Sequence, residues 1–196
     1  MSATFDVTIL CNTIIPFSVF YDIISRGNLI FEANSLEVID NWDYDNQIYL
    51  AINTNSETVA KYILNDKIVM LGGMLNHAHQ CGLIIEKATE SIFSMSFWIS
   101  TKELAFLSDD YVTSKNLGIY EYIVNTIIQL HDYYSIYLCA IGVETCFEYS
   151  ESIELTIKNS RNVNCWIMSN KQNNVEAYDF SISEKSGLKI LSRSRM

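Results

Sequence analysis

The chain has 196 residues, 49% hydrophobic and 18% charged, with one proline and seven glycines, a composition that excludes a disordered or linker-rich polypeptide and allows one sizeable core. Its net charge of −10 is uneven: residues 1–156 carry twenty acids against six bases, and residues 157–196 seven bases against three acids. An acidic body repels nucleic acid and anionic membrane, which sets both aside as partners, and it speeds encounter with a basic protein.

In residues 4–11, Phe5, Val7 and Ile9 alternate with Asp6 and Thr8, predicting a strand with one buried face. Pro16 suits the first turn of a helix. Phe17, Val19, Phe20, Ile23 and Ile24 follow at helical spacing, and Gly27 is placed to stop that helix. Residues 28–33 read as a second strand and 47–53, with Ile48, Leu50 and Ile52 alternating, as a third. Thr54 and Glu57 form a capping box for a helix reaching about residue 65. Residues 68–71 predict a short strand that turns at Gly72 and Gly73, and 82–87 and 92–100 predict two more strands.

The clearest helix runs from a Ser114 cap to about residue 133, with Gly118, Glu121, Asn125, Gln129 and Asp132 in one narrow polar stripe. Residues 136–141 return as a strand, and 153–158, 163–168, 175–182 and 188–191 read as the short strands of a β-meander. No internal repeat or composition break divides the sequence, so residues 1–196 are expected to form a single globular domain. The expected class is α+β: an extensive, mostly antiparallel sheet packed on a few helices, one of them central and largely buried.

The densest apolar stretch, residues 119–130, is broken by Glu121, Asn125, Thr126 and Gln129, well short of the ~20 apolar residues that span a bilayer. The first residues lack the basic start of a secretory signal. Cys11, Cys81, Cys139, Cys146 and Cys165 are odd in number, widely spaced and without a CxxC pair, which reads as free thiols in the reducing cytoplasm.

His77, His79 and Cys81 alternate in GGMLNHAHQCG, and alternate side chains of an extended segment would share one side, where a zinc ion could bind. His131, beside Asp132, is the candidate to complete such a site; without a second cluster, no cofactor is assigned. GxSxG, GxxxxGK[ST] and GxGxxG are all missing from the sequence, as is any signature around a thiol, so an enzyme is not expected. In DNWDYDN, Asp40, Asp43 and Asp45 lack the spacing and glycine of a calcium loop, but Trp42 and Tyr44 stand between these carboxylates as aromatic anchors do at protein contacts. Asp109, Asp110 and Tyr111 form a second acidic and aromatic segment, which a role in helix capping also explains. Glu144, Glu148, Glu151 and Glu154, with Phe147 and Tyr149 among them, form a third.

By size, acidity, missing catalytic signatures and richness in Asn, Ile and Tyr, the chain resembles the small acidic immunity proteins that bacteria make in the cytoplasm against toxins from neighbouring cells. That resemblance implies a non-enzymatic inhibitor of one basic toxin or enzyme domain, and it assigns no site residue. Two other readings stay open: a metal-dependent enzyme or metal-binding protein using His77, His79 and Cys81, and a structural or adaptor subunit of a larger assembly. The oligomeric state is not set by the sequence.

Overall fold

The computed structural model describes residues 3–26, 30–102, 104, 107, 109, 111–150, 152–170 and 180–193. In chain order its elements begin with β1 (Thr4–Cys11), α1 (Phe17–Arg26), β2 (Phe31–Ile39), β3 (Ile48–Tyr49), α2 (Ser56–Leu64), β4 (Ile68–Leu75), β5 (His79–Thr89) and β6 (Ile92–Ser100). They continue with α3 (Leu117–Tyr134), β7 (Ile136–Cys146), α4 (Ile153–Asn159), β8 (Arg161–Ser169), β9 (Ser181–Lys185) and β10 (Leu188–Ser192). The class is α+β, and the strand pairs described below are all antiparallel. Among the described residues no helix is long and apolar enough to cross a membrane.

The chain folds as two compact units, one of residues 12–99 and a terminal unit of residues 1–11 and 100–196. In the 12–99 unit the strand order is β3-β2-β4-β5-β6. Helix α1 lays Phe20 against Phe31 of β2 and Phe97 of β6, with ring centroids 5.6 and 5.1 Å apart, and α2 packs on β4 and β5 through Val59 and Ile63. Gly72 and Gly73 do not turn the chain as the sequence reading expected. They lie inside β4 opposite Gly82 and Cys81, because neighbours come too close for a side chain: a Cβ on Gly73 would stand 2.8 Å from the Phe31 ring.

In the terminal unit the order is β1-β7-β8-β10-β9. Strands β7 and β8 bury runs of consecutive residues, Leu138 to Val143 and Val163 to Met168, so both of their faces are covered and the sequence reads as a nearly continuous apolar run. Helix α3 buries Tyr120, Ile127 and Leu130 and leaves its polar stripe exposed; its burial is one-sided. β10 lies between β8 and β9, so the tail is not a simple meander.

Several boundaries differ from the sequence reading for local reasons. β2 is later and longer than 28–33, and β3 keeps only two residues: the Leu50 N–H still bonds to Leu36 O in register with them, and the chain then turns, with Thr54 N–H donating to Ala51 O. Asn55, rather than Thr54, caps α2, its Oδ1 accepting the Thr58 N–H at 2.8 Å. Helix α3 starts at Leu117, after Ser114, because buried Asn116 ties the preceding turn, accepting from Thr113 N and donating to Tyr111 O. Residues 153–158, read as a strand, are helical: Ser152 Oγ caps Leu155 N, and Ile153 and Thr156 fall on one buried face. Of the strand expected over 175–182, residues 175–179 lie outside the described residues, and β9 begins at Ser181.

Candidate interaction surface

Between β2 and α2 the chain makes a loop that crosslinks itself. Asn41 Oδ1 accepts the Asp43 N–H at 3.0 Å, Asn41 Nδ2 donates to Asp45 Oδ2 at 3.0 Å, and Asn46 Nδ2 donates to Asp40 Oδ2 at 2.8 Å. Backbone bonds from Asp40 N to Asp45 O and from Tyr44 N to Asn41 O close the turn. Lys67 Nζ pairs with Asp40 Oδ1 at 2.7 Å and holds the loop's base to the start of β4. The loop places Tyr44 and Asn46 at φ 61° and 50°; for a tyrosine this left-handed backbone costs on the order of 1–2 kcal/mol, offset here by the hydrogen bonds around it.

That order displays apolar side chains. Trp42 and Tyr44 are each 53% exposed, Ile48 45%, Tyr49 69% and Ile52 47%. The Trp42 indole lies near the Glu86 carboxylate of β5 and favours its charged form. Burial pushes the Glu86 carboxyl above its ordinary range, and the indole bond opposes that shift.

Charge in this unit is sorted. Glu57 pairs with Lys61, Asp40 with Lys67, Asp66 and Glu90 with Lys87, and Glu32 with His77. Among the described residues, no lysine, arginine or histidine pairs with Asp43 or Asp45, and the sequence from residue 27 to residue 60 holds six acids and no basic residue.

The other candidates sit differently. Asp109 and Tyr111 belong to the terminal unit and are half-buried. Asp109 Oδ2 accepts from Thr113 Oγ1 at 3.4 Å, and its carbonyl shares the Asn164 amide with the Tyr120 hydroxyl, at 3.0 Å each. Tyr111 O accepts from Asn116, and Asp110 lies outside the described residues. The pair Asp109 and Tyr111 thus braces the approach to α3. In the third acidic segment Glu151 also lies outside the described residues, while Phe147 packs its ring 6.1 Å from that of Trp166.

His77 is not in an extended segment. It stands at φ 58° in the β4–β5 turn, exposed, with Nδ1 2.8 Å from Glu32 Oε2. Cys81 is fully buried in β5, and burial pushes its thiol up to about 12; His131 belongs to the terminal unit. Among the described residues no three His, Cys, Asp or Glu side chains gather as a metal site. A cleft of about 260 Å³ between α1, α2 and the sheet of the 12–99 unit is lined by Ile15, Phe17, Tyr21, Ile52, Asn55 and Val59 among others, and by no acid, base, imidazole or thiol.

No protein-family model, curated protein or solved structure matches this chain. Sequence reasoning picked out the 40–45 segment but missed Ile48 and Ile52 as exposed residues, since their alternation with Leu50 reads as the inner face of a strand, and did not single out Tyr49. It also missed Asn41, whose signal was available: an asparagine two residues before Asp43 is placed to accept that N–H in an Asx turn.

Proposed function

We propose that this chain is a non-enzymatic binding protein that captures and neutralises a basic protein domain, in the manner of a cytoplasmic immunity protein against its toxin. The observation that carries this reading is the segment from Asp40 to Ile52: five large apolar side chains are exposed along it, and Trp42 and Tyr44 stand on a loop crosslinked by its own hydrogen bonds. A partner docking there meets rigid aromatic anchors and loses little conformational entropy to order them. The surrounding charge, −10 over the whole chain, adds attraction for a basic surface and speeds association. The free cysteines, four of them buried, accord with a reducing compartment.

The adaptor reading shares the exposed segment but does not require a basic partner or inhibition of it. Affinity capture with the tagged chain, followed by an activity assay on the purified partner, separates the two. The neutralising reading expects a basic partner whose activity falls on binding. It also expects charge reversal at Asp43 and Asp45 to slow association about tenfold with unchanged thermal stability, because exposed acids contribute little to folding. A partner whose activity is untouched, or association indifferent to both reversals, would sink it.

A further inference from the structure

The sorting of charge around the loop narrows what the surface receives. Asp40, Glu32, Glu57, Asp66 and Glu90 each lie within ion-pair distance of a lysine or histidine of this unit, Asp66 and Glu90 sharing Lys87. Asp43 and Asp45 have no basic partner among the described residues, and they flank Tyr44 and follow Trp42. Trp42 lies by Glu86 and is 53% exposed, so part of the ring is presented to solvent. A cation meeting this loop finds an aromatic ring and two carboxylates without a basic partner among the described residues, Asp45 keeping one oxygen for Asn41. A guanidinium satisfies both: its plane stacks on a ring while its N–H groups fork toward carboxylates, whereas an ammonium is a compact, strongly hydrated point charge. A second copy of this chain is a poor occupant, since each copy carries −10 and would bring acid to acid.

Resting on the binding-protein reading above, we propose that the Asp40–Ile52 surface receives an arginine side chain of the partner, its guanidinium lying on Trp42 and bonded to Asp43 and Asp45. Tyr49, Ile48 and Ile52 then meet the apolar residues beside that arginine.

The test uses the full chain and two capped peptides, Gly-Arg-Gly-Arg-Gly and its lysine counterpart, titrated while following the Trp42 indole N–H resonance, assigned by its loss in Trp42→Phe. The arginine peptide is expected to shift that resonance with an affinity at least about threefold tighter than the lysine peptide. Asp43→Asn with Asp45→Asn should remove the preference, and an unchanged unfolding midpoint in that double variant keeps loss of binding distinct from loss of fold. Equal shifts from the two peptides, no shift up to about 10 mM, or an arginine preference that survives the double substitution would each overturn the inference. Self-association that disappears in Trp42→Lys would overturn it too, in favour of a second copy. If the partner captured above binds Trp42→Leu as tightly as the natural chain, the arginine site fails while the binding-protein reading stands; if the peptide preference holds and no partner is inhibited, the reverse is true.

Discussion

Apart from β1 and the two-residue β3, the two units run through the same order of elements, helix, strand, capped helix, then three strands, yet they treat one connection in opposite ways. In both, the first strand of the run pairs antiparallel with the strand after the capped helix, β2 with β4 and β7 with β8. The terminal unit makes the link from β7 to α4 short and folds it inward. Phe147 packs near Trp166, the Glu148 N–H donates to Ser160 Oγ, and the Ser150 N–H donates to Thr156 Oγ1. The 12–99 unit makes the link from β2 to α2 long and crosslinks it within the loop, through side-chain bonds of Asn41 and Asn46 and the backbone bonds of Asp40, Asp43 and Tyr44. A link that crosslinks itself need not bury its side chains, and five large apolar ones stay outside. One scaffold thus serves as a core in one unit and as a display in the other.

The largest effect that can sharpen this contrast is Trp166→Ala. The ring is 1% exposed in β8, so its loss should lower unfolding free energy by about 3–5 kcal/mol, read by denaturant titration, while Trp42→Ala should change stability by less than about 1 kcal/mol. Similar losses at both positions would dissolve the distinction between core and display. Next come the two caps. Asn55→Ala and Ser152→Ala each remove a side-chain acceptor from a helix N-terminus and should each cost about 1 kcal/mol; a cost confined to one of them would break the equivalence of α2 and α4.

The smallest effect concerns Glu86, half-buried under Trp42. Burial raises its folded pKa above the unfolded one, so the folded state holds the proton to higher pH than the unfolded state does. Its contribution to stability is greatest in acid, below the ordinary glutamate range, and is lost as pH rises through the raised value. Glu86→Gln keeps an oxygen for the indole and removes the charge. Its stability relative to the natural chain should therefore grow across that window and then level off. Unfolding midpoints of the two proteins measured at matched pH values test the sign, and a difference that shrinks with rising pH would contradict it.

Much of this architecture was legible in the residues. β1, α1 and β6 announce themselves by clean periodicity, although β1, expected to bury one face, buries Val7 to Cys11 consecutively. The misreadings share a cause: a local signal that a tertiary contact overrides or reuses. Gly72 and Gly73 look like a turn, and only their neighbours on β2, Ser35 Oγ at Gly72 and the Glu32 carbonyl and Phe31 ring at Gly73, explain why a strand wants them. Residues 153–158 are as compatible with a strand as with a helix until Ser152 caps them. At the candidate surface, Trp42 and its carboxylates were visible, but that the ring stands 53% exposed was not. Ile48 and Ile52 carry the signature of a buried face and are exposed because the sheet ends beside them.

The pairing of β1 with β7 has a consequence for the chain while it is being made. Asp6 receives the Thr145 N–H across 139 residues of sequence, and every register contact of β1 with β7 is comparably distant. At ordinary rates of synthesis β1 spends on the order of ten seconds outside the ribosome before β7 follows. Through that interval Phe5, Val7, Ile9 and Leu10 form an apolar strand whose eventual neighbour is not yet made, and the whole 12–99 segment is synthesised in the gap.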